Sequence, residues 1–166
     1  MTGAPLIDHL LLRDERDTRA LGAVIAGSVR AGDTVILSGG LGAGKTTLVK
    51  GFVEALDCDI EATSPTFALC HRYEGSLPVA HVDCWRMENE RELDELALDE
   101  LLEDGWVALI EWGERFLEHF GSSVLVVSLA VEREHRVARL SSMAPRWLEG
   151  AGELNGAMRK IGIGQC

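Results

Sequence analysis

Apolar positions along the chain switch between a strand-like and a helix-like period. A short apolar run over 5–12 predicts an edge strand, and 14–30 places Leu21, Val24, Ile25 and Val29 on one helical face. Gly32-Asp33 turns the chain into 34–38, Thr-Val-Ile-Leu-Ser, a β-branched run suited to a strand buried on both faces. Past a glycine-rich stretch, Leu48, Val49, Phe52, Val53 and Leu56 share a face again. The segment 62–73 reads as a loop, Thr63-Ser64-Pro65-Thr66, leading into a strand through Phe67-Ala68-Leu69-Cys70. Turn residues over 74–78 then make 79–83 its hairpin partner. Leu93, Leu96, Ala97 and Leu101 predict one helix or two short ones. A buried strand over 106–110 ends in Glu111, 124–131 is the last strong strand, and 136–140 is placed to pair with it. From Ser141 onward Gly150, Gly152, Gly156, Gly162 and Gly164 and a weak period predict a loose tail. One domain is therefore expected over 1–140, followed by a tail over 141–166.

Strands that alternate with helices predict an α/β fold, and one loop within it carries chemistry. Gly39-Gly40-Leu41-Gly42-Ala43-Gly44-Lys45-Thr46 fits G-x-x-x-x-G-K-[ST] between a predicted strand and a predicted helix, the context this phosphate-binding pattern needs. Glycines let the backbone take positive φ and turn a ring of N–H donors toward phosphate oxygens. Lys45 supplies a point charge, Thr46 a hydroxyl for Mg²⁺, and the helix N-terminus a favourable dipole. Gly40, Leu41, Gly42, Ala43, Gly44, Lys45, Thr46 and Thr47 are thus the expected nucleotide-binding run. The expected architecture is a P-loop NTPase-like three-layer sandwich with a mixed, largely parallel central sheet.

Composition narrows the function. The 166 residues suffice for one core, and the longest stretch without Asp, Glu, Lys or Arg, 119–131, is shorter than the ~20 apolar residues of a spanning helix. Residues 1–8 lack a basic flank and an apolar signal core, so a cytoplasmic chain with no membrane partner is expected. Cys58, Cys70, Cys84 and Cys166 form no C-x-x-C pair and read as buried thiols. A formal charge of −11 argues against a broad nucleic-acid-binding face, so any nucleic acid would be served through a partner. Much of the charge lies between Glu88 and Asp104, where nine acids face one base, Arg91; this reads as a solvated face.

In a largely parallel sheet, ligands sit beyond the carboxyl ends of the strands. Asp83 and Glu111 each close a predicted strand, so both should face the phosphates, one holding Mg²⁺ and the other orienting or deprotonating water. Thr66, or Ser64 before it, stands where a loop would sense the γ-phosphate. Arg86 is a candidate for steadying transition-state charge, and Arg136 for the base. His81 shares a strand face with Asp83, as a core histidine or as a working one.

Four motifs in order, Leu41-Gly42-Ala43-Gly44-Lys45-Thr46-Thr47, Ser64-Pro65-Thr66-Phe67, His81-Val82-Asp83-Cys84-Trp85-Arg86 and Ile110-Glu111-Trp112, resemble the TsaE (YjeE) family of bacterial ATPases. The resemblance spans roughly 18–140 and includes Thr18-Arg19-Ala20-Leu21-Gly22. It implies a P-loop ATPase assisting threonylcarbamoyladenosine formation at position 37 of tRNA, with TsaB and TsaD as partners and tRNA met only through them. It further implies that Lys45 binds phosphate, that Thr46 and Glu111 contact Mg²⁺, and that Asp83 is the catalytic carboxylate. The segment from Ser64 to Phe67 would be a switch, with Trp112 near the site. Two positions depart from the family pattern, which has an acid at Gly40 and a tyrosine at Trp85. Two rival functions fit a phosphate loop alone: a small-molecule kinase, and a nucleotide-gated binding module with negligible turnover. A GTPase is disfavoured, since neither N-K-x-D nor D-x-x-G occurs.

Overall fold

The structure, a computed structural model, describes residues 3–59 and 69–164. The expected switch with Ser64 and Thr66, and the start of the strand expected through Phe67, lie outside these residues.

Among the described residues, seven strands form one sheet: β1 (Ala4–Leu12), β2 (Thr34–Ser38), β3 (Cys70–Tyr73), β4 (Val79–Asp83), β5 (Val107–Glu111), β6 (Val124–Glu132) and β7 (His135–Ser142). Their order is β1-β7-β6-β2-β5-β4-β3. The four central strands β6, β2, β5 and β4 run parallel, while β7 and β1 at one edge and β3 at the other pair antiparallel. The sheet is mixed, and its parallel part is the middle, where the glycine loop leaves β2.

Helices cover both faces. Helices α1 (Glu15–Ala26), α2 (Lys45–Ala55) and α6 (Pro145–Lys160) lie on one side. The short helices α3 (Arg91–Asp94), α4 (Leu98–Glu103) and α5 (Leu117–Phe120), with a 3₁₀ turn over Gly113–Phe116, lie on the other. Alternation along β2 divides the core accordingly: Val35 and Leu37 pack with α1 and α2, Ile36 with the opposite layer. The acidic stretch thus forms two short helices, separated at Ala97, whose φ of 51° leaves the helical region.

Helices α1 and α2 meet at glycines. A Cβ on Gly22 would stand 2.2 Å from the Leu48 carbonyl oxygen, and one on Gly51 would stand 2.1 Å from that of Arg19. Each helix therefore seats the other's backbone where a side chain would hold it off, and Leu21, Ile25, Leu48 and Phe52 close over the contact fully buried. Each such side chain contributes about 1.5–3 kcal/mol. Helix α1 starts at Asp14, whose side chain accepts the Asp17 N–H at 3.0 Å, and ends a turn earlier than the apolar spacing predicts.

The expectation of a loose tail from Ser141 is corrected. Strand β7 runs to Ser142, and α6 follows with Pro145 in its first turn, where a missing N–H costs nothing. Trp147, Leu154, Met158 and Ile163 are buried in the α1–α2 side of the core. Arg146 donates to the Ser28 carbonyl at 3.0 Å and pairs with Asp33, tying the helix to the start of β2.

Candidate functional site

The site forms where β2 gives way to α2. Gly39 has φ 142°, and a Cβ there would meet the Leu129 carbonyl oxygen at 2.3 Å; Gly44, the residue before α2, has φ 109° and lies against Arg136 and Thr18. Both positions call for glycine by conformation and by space. Gly40 differs: among the described residues nothing stands within 4 Å of where its Cβ would be. A side chain would fit there by space. Ala43 turns inward and joins the core, its N–H donating to the Gly40 carbonyl at 3.2 Å.

Lys45 opens α2 and is buried, 5% exposed. Its ammonium donates to the Gly39 and Gly40 carbonyls at 2.6 and 3.0 Å and stands 3.6 Å from the centre of the Trp112 ring. Burial pulls its pKa below the ordinary lysine value, and the charges of Glu111, Glu114 and Asp83 oppose that pull.

Glu111, also buried, ends β5 beside the loop. Its Oε1 accepts a hydrogen bond from His81 Nε2 at 3.0 Å, while the Thr46 hydroxyl faces both carboxylate oxygens at 3.4 and 3.5 Å. Asp83 lies level with Glu111 in the parallel β4–β5 pair. It is exposed, and its Oδ1 accepts the Trp85 N–H at 2.9 Å, closing a tight turn. The chain then folds at Trp112 with φ 60°, a conformation costing a non-glycine residue about 1–3 kcal/mol. That fold carries the indole over Lys45, with Trp85 packed on it at 4.4 Å between ring centres.

These residues surround a cleft of ≈ 410 Å³. Leu41, Gly42, Gly44, Lys45, Thr46, Thr47, Asp83 and Glu111 line it as expected, joined by Glu15, Trp85, Trp112 and Arg136. Gly40 and Ala43 contribute to the loop without lining the cleft, and the exposed Arg86 does not line it either. Arg136, the residue suggested for the base, lies against Gly44, and its Nε is buried without a partner among the described residues. Glu15 and Glu114 escaped the sequence reading. Glu15 follows a helix cap with no motif around it, and Glu114 enters the field at Lys45 only because the chain turns sharply at Trp112. His81 was legible from the strand period, which sets it on the face of Asp83; its bond to Glu111 was not.

A central parallel sheet, a glycine loop leaving its middle strand, and a Lys-Thr pair opening the next helix beside a buried acid define a protein of the P-loop NTPase-like α/β class. The family model described as threonylcarbamoyl adenosine biosynthesis protein TsaE matches residues 12–140, and the chain belongs to that family. Among curated proteins it is similar to the tRNA threonylcarbamoyladenosine biosynthesis protein TsaE of Mycobacterium tuberculosis, 39% identical over 144 residues that cover 81% of this chain and 82% of the relative. The protein of the same name from Treponema pallidum is 35% identical over 119 residues, covering 72% of this chain and 88% of the relative. A crystal structure of Bacillus subtilis YdiB matches with a TM-score of 0.69 and 29% identity over 85% of this chain and 88% of that one.

Proposed function

We propose that this chain is a Mg²⁺-dependent ATPase that assists N6-threonylcarbamoylation of adenosine 37 in tRNA together with TsaB and TsaD. Its family and its relatives' names support the pathway. The observation that carries the chemistry is the meeting of Lys45, Thr46, Asp83 and Glu111 around one glycine loop.

The residues fit the metal. Thr46 and Glu111 offer a hydroxyl and a carboxylate, hard oxygen donors that already face one another at 3.4–3.5 Å. Bound there, Mg²⁺ would offset charge on the outer phosphates and their oxygens. The loop amides and the N-terminus of α2 hold the phosphates. Lys45 exchanges its bonds to the Gly39 and Gly40 carbonyls for phosphate oxygens, and the Trp112 ring shields that ammonium from water. Asp83 keeps one oxygen in the turn to Trp85 and uses the other to orient water and accept its proton. Arg136, beside Gly44, serves the nucleotide rather than the water.

The test is ATP turnover and threonylcarbamoyladenosine formation with purified TsaB and TsaD, with and without this chain. Slow hydrolysis alone, stimulated by the partners, with modification that needs this chain, is the expected result. Modification proceeding equally with a Lys45→Ala chain would overturn the reading, and phosphate transfer to a small acceptor instead of water would establish a kinase.

A further inference from the structure

We propose that His81 is the positioning residue that holds the Glu111 carboxylate in its metal-binding orientation, an inference that rests on the Mg²⁺ role proposed for Glu111 and Thr46. The strands supply the pairing. His81 stands on β4, two residues before Asp83 on the same face, and in the parallel β4–β5 register it lies level with Leu109, two residues before Glu111. Its ring therefore reaches one step along the neighbouring strand, and Nε2 meets Glu111 Oε1 at 3.0 Å. Both side chains are buried, 11% and 8% exposed, so water does not compete for the contact. A carboxylate oxygen only accepts, so Nε2 carries the hydrogen, and the bond draws Oε1 toward β4.

The imidazole is itself held. Tyr73 stacks on it with ring centres 6.2 Å apart and planes 21° apart. His71, directly opposite on the antiparallel neighbour β3, tilts against it at 6.1 Å. Nδ1 is buried without a partner among the described residues, so among these residues the polar contact of the ring is the one to Glu111. A histidine kept only to fill the core would not need a buried carboxylate at hydrogen-bond distance, and a hydrophobic ring would pack there without leaving a polar nitrogen unmatched. The Thr46 hydroxyl is farther away than His81, at 3.4–3.5 Å, so the short contact that sets the carboxylate is the one from the imidazole. Partners behind a ligand orient its lone pairs, and their loss weakens metal affinity by about 10- to 100-fold.

The experiment titrates Mg²⁺ against ATP affinity, read by a fluorescent analogue, for wild type, His81→Phe, His81→Gln, His81→Asn and Glu111→Gln. Phe keeps a packed ring without a donor. Gln places an N–H where Nε2 was, and Asn is too short to reach. Phe and Asn should each raise the Mg²⁺ midpoint about tenfold while ATP affinity in excess chelator stays at the wild-type value, and Gln should restore the midpoint to within about threefold. Thermal melting without ligand identifies any variant that fails to fold; should Phe do so, the Asn–Gln contrast decides alone. Wild-type midpoints in Phe and Asn, or equal shifts in Gln and Asn, would overturn the positioning role while a shifted Glu111→Gln midpoint left the metal reading standing. A wild-type chain whose ATP affinity ignores Mg²⁺, or a Glu111→Gln midpoint equal to wild type, would overturn both.

Discussion

Lys45 spends its ammonium on two loop carbonyls and a Trp112 ring in a place where burial disfavours its charge. Two of these contacts stay within the glycine loop and its helix and the third lies on one face of a half-buried ring, so Lys45→Ala should fold while losing the mobile charge for the outer phosphates. Loss of charge-assisted bonds of roughly 1.5–3 kcal/mol corresponds to a drop in ATP affinity on the order of 10- to 100-fold. Mg-ATP should therefore raise the melting temperature of wild type and hardly move that of the variant; equal shifts would remove the phosphate-loop assignment. Glu111→Gln and Asp83→Asn should differ in kind. The first replaces an oxygen of the proposed buried ligand by an amide and should raise the Mg²⁺ needed for tight binding, whereas the second keeps the exposed turn at Trp85 and should slow hydrolysis about 100-fold. Mg²⁺ titrations and single-turnover rates on both variants separate the roles, and a swapped pattern would reverse them. Cys84, next to Asp83, tests the electrostatics from another side. Burial pushes its thiol up to about 12, Asp83 adds to the rise, and the Arg115 guanidinium opposes it. At pH 8 a thiol of that pKa is about 10⁻⁴ ionised, so iodoacetamide should leave Cys84 unmodified in the folded chain and label it in urea. Mass spectrometry of labelled peptides reads this, and labelling at the rate of a free thiol would refute the buried environment.

Glycine means three different things in the elements of this chain, and the differences explain what could be read beforehand. In the phosphate loop, position and neighbours announced the conformation: Gly39 and Gly44 have positive φ where the motif asks for it. At Gly22 and Gly51 the reason is another helix, a non-local fact with no local signal. In α6 the glycines carry no structural demand at all. Among the described residues nothing stands within 4 Å of a Cβ at Gly150, Gly152 or Gly156, so their cost is one of conformational entropy, and reading them as a loose tail mistook weak propensity for absent structure. The missed signal was the spacing of Trp147, Ala151, Leu154 and Met158, with Pro145 at the start and Arg159 and Lys160 at the end. The strands around the site were plain because runs such as Val35–Leu37 are apolar on both faces, while the His81–Glu111 bond depended on a strand register no sequence period reveals. A paired substitution tests this. Gly152→Ala should stabilise the chain by about 0.5–1 kcal/mol, a gain of about 1–4 °C, whereas Gly22→Ala should push α1 from α2 and destabilise by about 1–3 kcal/mol, as in other overpacked cores. Urea melts of both measure the contrast, and a destabilised Gly152→Ala would show that α6 is held differently.

Charge decides what the whole molecule meets. Sixteen bases and twenty-seven acids give −11, and the acids of 88–104 lie on α3, α4 and their flanks, on the sheet face opposite α2. Four of the sixteen bases, Arg13, Arg19, Arg139 and Arg146, are each paired with an acid. Binding to a polynucleotide gains chiefly from releasing counterions as cations neutralise phosphates, and a surface of this balance instead repels the phosphate chain over a Debye length of about 8 Å at physiological salt. In the proposed role ATP would escape this repulsion, because loop amides, Lys45 and a divalent cation would meet its few phosphates inside the cleft. A tRNA offers many more phosphates than one cleft can answer. The chain alone should therefore not retard labelled tRNA in a gel shift at physiological salt, even at about 10 μM protein, with or without Mg-ATP. Adding TsaB and TsaD should bring this chain into a complex that contains tRNA, since the proposed role places the nucleic acid on the partners. Submicromolar tRNA binding by the isolated chain, weakening steeply as salt rises, would mean that a basic track exists on it and that its contact with tRNA is direct.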